Sequence, residues 1–166
     1  MMRRRALVAS GIALAILGCA PPPSQRVEQP RTQLQTREFQ TRVYDTTDTR
    51  MVMKALQNVL QDDGFIIKNA NENLGLIAAT KETENPDTPA LLWLRTGLLW
   101  DKTFVVDCSA NVSEFGRQTK VRVNFEERSI DNRGAVSHVK QIDDAKYYRD
   151  FFARVDKGVF IQKEKL

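Results

Sequence analysis

Histidine occurs once in the 166 residues and cysteine twice. One imidazole, His138, and two thiols, Cys19 and Cys108, are too few for a His/Cys metal cluster, and no Ser/His/Asp arrangement can be argued around a lone histidine. Apolar runs are short as well. The longest, Ala6 to Leu17, falls well below the about 20 residues a spanning helix needs, and prolines 21 to 23 follow it closely. Clustered positive charge is missing beyond the N-terminus. Setting aside Arg3, Arg4 and Arg5 leaves 22 basic against 21 acidic side chains, interspersed along the chain. That balance excludes the basic footprint of a nucleic-acid binder. The carboxylate doublets Asp62-Asp63, Glu126-Glu127 and Asp143-Asp144 suggest a glycosidase or metal site only superficially. Two of them sit at expected helix ends, and neighbours on a strand point to opposite faces. They are expected to be caps or solvated charge, and the chain is not expected to be an enzyme.

What is present begins with an address. Three arginines, the apolar stretch Ala6 to Leu17 and the small residue Gly18 make an export signal over residues 1–18. The run Ile16-Leu17-Gly18-Cys19 resembles a bacterial lipobox, although Leu17 stands where a smaller or β-branched residue is more usual. The resemblance implies a covalent lipid on Cys19 and no other cofactor. The alternative is an ordinary secretory signal cut near Gly18 or Ala20. Each buried methylene contributes about 0.8 kcal/mol, so two or three acyl chains would anchor the protein durably. Ala20 follows the cysteine where an aspartate would resemble an inner-membrane retention signal. The expected location is therefore the outer membrane, lipid-anchored and facing the periplasm, with the inner membrane and the cell surface as alternatives. Acylation of Cys19 would leave Cys108 without a disulfide partner.

Residues 19–36, rich in Pro, Gln, Arg and Thr, have too few apolar side chains to offset their conformational entropy, and are expected to be a flexible tether. The folded domain is expected over 37–166, one domain with one core. Within it, REFQTRVYD alternates with period two, predicting a strand with Phe39, Thr41 and Val43 on one side. Met51, Val52, Ala55, Leu56, Val59 and Leu60 form one helical stripe, capped by Asp48 or Thr47 and closed by Gly64. FIIKN and LGLIAATKE are predicted strands joined by ANEN, whose asparagines tolerate turn geometry. Three further strands follow in TFVVDCSANV, TKVRVNFEER and AVSHVKQI. Phe104, Val106, Cys108, Ala110 and Val112 are predicted inward in the first of these, and His138 lies on the last, at the surface. A final helix starts after Asp143 or Asp144 and carries Tyr148, Phe151, Phe152, Val155 and Val159 as a core stripe.

One segment, an apolar insertion at 84–102, breaks the pattern. Leu91, Leu92, Trp93, Leu94, Leu98, Leu99 and Trp100 make it apolar almost all round. It is either tucked against the sheet or a contact surface for the membrane interface or a partner.

The order β-α-β-β-β-β-β-α makes an α+β fold, an antiparallel sheet with two packing helices in a single domain, and it resembles a helix-grip arrangement. With LQDDGFIIKNANENLGLIAATKE at its heart, it resembles the domains of the BamC-type lipoproteins of the outer-membrane barrel-assembly machine. It is also similar to uncharacterised bacterial lipoproteins sharing the pattern of Val121-Arg122-Val123-Asn124-Phe125 and the Tyr147 to Phe152 helix. These likenesses imply a non-enzymatic accessory module in the cell envelope, possibly serving outer-membrane assembly. Its partners would be the membrane, through the N-terminal lipid, and an envelope protein, with no nucleic acid. A carrier holding an apolar ligand between the last helix and the sheet is the alternative.

Overall fold

The computed structural model describes residues 32–84 and 101–164. In chain order they form α1 (Gln33–Phe39), β1 (Thr41–Tyr44), α2 (Thr49–Asp62), β2 (Ile66–Asn71), β3 (Leu76–Glu84), β4 (Asp101–Phe115), β5 (Gln118–Asp131), β6 (Val136–Gln141) and α3 (Ala145–Glu164). The strands pair antiparallel in the order β1-β5-β4-β3-β2, with β6 also on β5. The fold is α+β, a six-stranded antiparallel sheet with three helices among the described residues, and these residues belong to one compact unit.

The hairpin of β4 and β5 is the spine of the sheet, paired from Asp101↔Asp131 to Phe115↔Gln118. The other edge of β5 is shared. Residues 119–122 pair with β1 and residues 126–130 with β6. Across the gap, the Gln40 carbonyl accepts from Val123 N at 2.9 Å, and Ile142 N donates to the Phe125 carbonyl at 2.9 Å. Phe125 N donates to the Tyr148 hydroxyl at 3.1 Å, so a side chain of α3 stands in for a missing strand. These three bonds satisfy the Val123 and Phe125 amides and the Phe125 carbonyl along the interrupted edge, as burial demands.

α2 and α3 pack on one face. The α2 stripe is buried as its spacing predicts, with Met53 added and Met51 only partly covered. Asp48 Oδ1 accepts from Met51 N at 2.9 Å, and Gly64, at φ +85°, ends the helix while Phe65 N reaches back to the Leu60 carbonyl. All five predicted α3 positions are buried. They meet Val121, Val123 and Phe125 from β5 and Cys108, Ala110 and Val112 from β4. Burial of each large side chain contributes about 1.5–3 kcal/mol. Phe104 and Val106, on the same side of β4, are only half-buried.

The beginning of the domain departs from the alternation. Residues 33–39 are helix where tether and strand were expected, because Thr32 and Gln35 form a capping box: Thr32 N donates to Gln35 Oε1 at 3.0 Å, and Thr32 Oγ1 accepts from Gln35 N at 3.4 Å. The Phe39 ring then rests on Tyr148, centroids 5.1 Å apart. The strand that remains is four residues long, with Tyr44 inward and Val43 turned out at 42% exposure. In the β2–β3 connection the left-handed residue is Gly75, at φ +64°, and no non-glycine described has positive φ. Asn71 contributes through its side chain instead, Oδ1 accepting from Leu74 N at 3.0 Å. Glu84 belongs to β3, and Asp101 and Lys102 to β4, so the ends of the expected insertion are strand.

Candidate functional site

Neither α2 nor α3 covers the second face of the sheet. Residues on it alternate with the core positions, so register decides who meets whom. Leu76↔Asn111↔Arg122↔Thr41 make one rung across four strands, and Asn69↔Ala78↔Ser109↔Asn124 make the next. The two small side chains at the centre, Ala78 and Ser109, leave a depression of about 680 Å³ between taller neighbours. Its rim includes Asn69, Leu76, Asn111, Arg122, Asn124 and Gln141, with no aspartate, glutamate, histidine, cysteine or lysine among the lining residues. A volume of this size lies in the ordinary range of ligand sites.

One wall is built from the inside. Gln40, only 1% exposed, donates through Nε2 to Asn124 Oδ1 at 3.1 Å and to the Tyr148 hydroxyl at 3.2 Å. Gln141 Nε2 donates to the same Asn124 oxygen at 2.6 Å. The network therefore runs from the buried Tyr148, through the interrupted edge of β5, to the open face. Burial is the main cause raising the Tyr148 phenol pKa, opposed by the donors Phe125 N and Gln40. Farther along the same face Arg128 Nε holds Asp107 Oδ2 at 2.6 Å, a half-exposed pair of modest energetic weight.

A second depression, about 380 Å³, adjoins the first and shares Arg122 and Gln141 with it. Gln33, Thr36 and Arg37 of α1 form one side, and Asp143 also lines it.

Cys108 points into the core at 2% exposure, and burial pushes its thiol up to about 12. This is an inert filler, without the exposed electropositive setting a reactive thiol needs. His138 sits exposed on β6 opposite Ser129. Asp63 Oδ2 takes Arg154 Nη2 at 2.8 Å, tying α2 to α3, and Asp144 Oδ1 accepts from Lys146 N at 2.8 Å. Among the described residues no group of three or more His, Cys, Asp or Glu side chains is placed to hold a metal ion, and no helix is long and apolar enough to cross a membrane. Cys19 and the contact stretch Leu91, Leu92, Trp93, Leu94, Leu98, Leu99 and Trp100 lie outside the described residues.

Sequence reasoning missed Gln40, Arg122, Asn124 and Gln141 as a group. The polar positions of β4 and β5 alternate visibly with the core positions, so the open face had a signal; the burial of Gln40 had none.

Two bacterial proteins of solved structure are among those similar to this chain. One is a TBP-like protein from Parabacteroides distasonis, 10% identical, with TM-score 0.39 over 72% of this chain and 90% of that one. Another is a DUF4468 family protein from Bacteroides ovatus, 11% identical, with TM-score 0.36 over 72% of this chain and 84% of the other. No protein-family model and no curated protein sequence matches the chain.

Proposed function

We propose that the chain is a membrane-anchored, non-enzymatic accessory lipoprotein of the BamC-like kind. In this reading Cys19 carries the lipid, the protein faces the periplasm from the outer membrane, and the domain serves as an interaction module for an envelope protein, with outer-membrane assembly as the process. The observation that carries the interaction role is the contrast between the two faces of the sheet. Among the described residues one carries the aromatic core under α2 and α3, and the part of the other around Ala78 and Ser109 is left uncovered. Phe125 meets Tyr147, Tyr148 and Phe151 with ring centroids 5.0–5.5 Å apart, which fills the space a carrier would need between α3 and the sheet. The open face, by contrast, presents hydrogen-bonding side chains fixed from within.

Two measurements test this. Metabolic labelling with a fatty acid marks the wild-type chain and not Cys19→Ser, because the thiol is the only acceptor; undiminished label in the variant refutes the anchor. Crosslinking in intact cells from a photoreactive group at position 111 captures an envelope protein. Capture of lipid alone, or of nothing, refutes the interaction role.

A further inference from the structure

The open face carries one cation and no anion in its main depression. Arg122 is exposed, and no ion pair engages it among the described residues. A guanidinium offers two parallel N–H groups that match a planar carboxylate. Two residues along β5, Asn124 is held by its oxygen, which accepts from both Gln40 and Gln141. Its Nδ2 is thereby left as a positioned donor at the same depression.

Residues i and i+2 of a strand stand about 7 Å apart on one face. That is also the repeat of an extended peptide, so the backbone positions of Arg122 and Asn124 are spaced like a C-terminal residue and the residue two before it. The remaining rim suits the same occupant. Asn69 and Asn111 each offer a donor and an acceptor, the complement of a peptide group. Leu76, nearly half exposed, offers contact to an apolar side chain. Phosphate is the poorer match, since one guanidinium among neutral amides supplies little charge for a doubly ionised group.

We propose that this face binds the C-terminal end of a peptide, with its carboxylate on Arg122 and a preceding backbone carbonyl on Asn124 Nδ2. The inference gives the partner's chemistry for the interaction module proposed above, and it rests on that reading without depending on the membrane address.

The test uses the full-length protein in detergent and trialanine labelled at its amino end, followed by fluorescence anisotropy. The free acid binds saturably, and the carboxamide of the same peptide binds about tenfold more weakly, the loss expected for one charge-assisted pair. Arg122→Gln weakens the free acid by a similar factor with an unchanged melting temperature, and Arg122→Lys falls between. Inorganic phosphate does not displace the peptide. Absence of saturable binding by the wild type, equal binding of acid and carboxamide, undiminished binding by Arg122→Gln, or displacement by phosphate each overturns the assignment. The comparison of acid with carboxamide on the wild type needs no variant and stands even if a substitution disturbs folding. Failure here alongside a protein crosslinked from position 111 removes the carboxylate site and leaves the interaction module intact; failure of the crosslink removes the module itself.

Discussion

Replacing Gly75 with alanine tests whether the β2–β3 turn is bound to the sheet as closely as the geometry requires. Gly75 has φ +64°, and a Cβ there would lie 1.9 Å from the Val112 carbonyl oxygen and 3.0 Å from its carbon. Val112 N donates to the Gly75 carbonyl at 2.7 Å, so the two backbones are locked in mutual contact. The obstructing atoms are main chain in a central strand paired on both sides, and they cannot swing aside. The methyl must push the turn away. That displacement loses a hydrogen bond contributing about 0.5–1.5 kcal/mol, and the left-handed conformation costs a further about 1–2 kcal/mol. Together the loss is about 1.5–3.5 kcal/mol, a large share of a typical domain's about 5–15 kcal/mol. Gly116 supplies the control. It has the same φ of +64°, but nothing lies within 4 Å of the place its Cβ would take, so its alanine variant bears only the conformational cost. Urea denaturation of the two variants, compared at equal m-values, gives the difference directly. Equal destabilisation at positions 75 and 116 would refute the close approach.

Four other outcomes follow from the packing. Gly158→Ala stabilises the protein by about 0.5–1 kcal/mol on thermal denaturation, because the new methyl meets Val59 and Ala55 at ordinary distances of 3.5–3.7 Å while the helix gains propensity; destabilisation would mean α2 and α3 are closer than these distances. Leu56→Ala costs about 2–5 kcal/mol as a fully buried truncation, and Asn58→Ala on the exposed side costs no more than about 0.5; equal effects would displace the helical stripe. Tyr148→Phe costs about 1–3 kcal/mol in chemical denaturation, since it deprives Phe125 N and Gln40 Nε2 of a buried acceptor; a neutral result would mean water replaces the hydroxyl. In the Cys19→Ser chain, Cys108 resists iodoacetamide at mildly alkaline pH until the protein is unfolded. The folded state keeps this thiol protonated up to about 12, whereas the unfolded chain releases the proton near pH 8.5. The unfolded state then binds fewer protons, so Cys108's contribution to stability is intact below the unfolded value and is lost as pH rises toward the folded one. A rapid native-state reaction would contradict its burial.

Several elements were legible because their signals are local. The α2 stripe, Asp48 at its start and Gly64 at its end all lie within one stretch of chain, and the aromatic stripe of α3 repeats at helical spacing with its acidic residues just ahead. Alternation likewise placed Cys108, Ala110 and Val112 inward without reference to any partner. The T-x-x-Q signature at Thr32 and Gln35 is equally local, and a capping box with one packed ring prevails over alternation in so short a segment. What the chain could not disclose is where distant segments meet. Gln40 and Tyr148 are 108 positions apart, and only the sheet order, with β1 and β6 sharing one edge of β5, creates the gap they fill. The depression is decided in the same way: Ala78, Ser109 and Asn124 become neighbours through strand register, and side-chain size at those rungs has no meaning until the rungs exist. Periodicity determined which side of each element is apolar, because that is a property of backbone geometry, whereas the pairing of strands determined which polar side chains share a face, because contacts across a sheet depend on residues far apart in the chain.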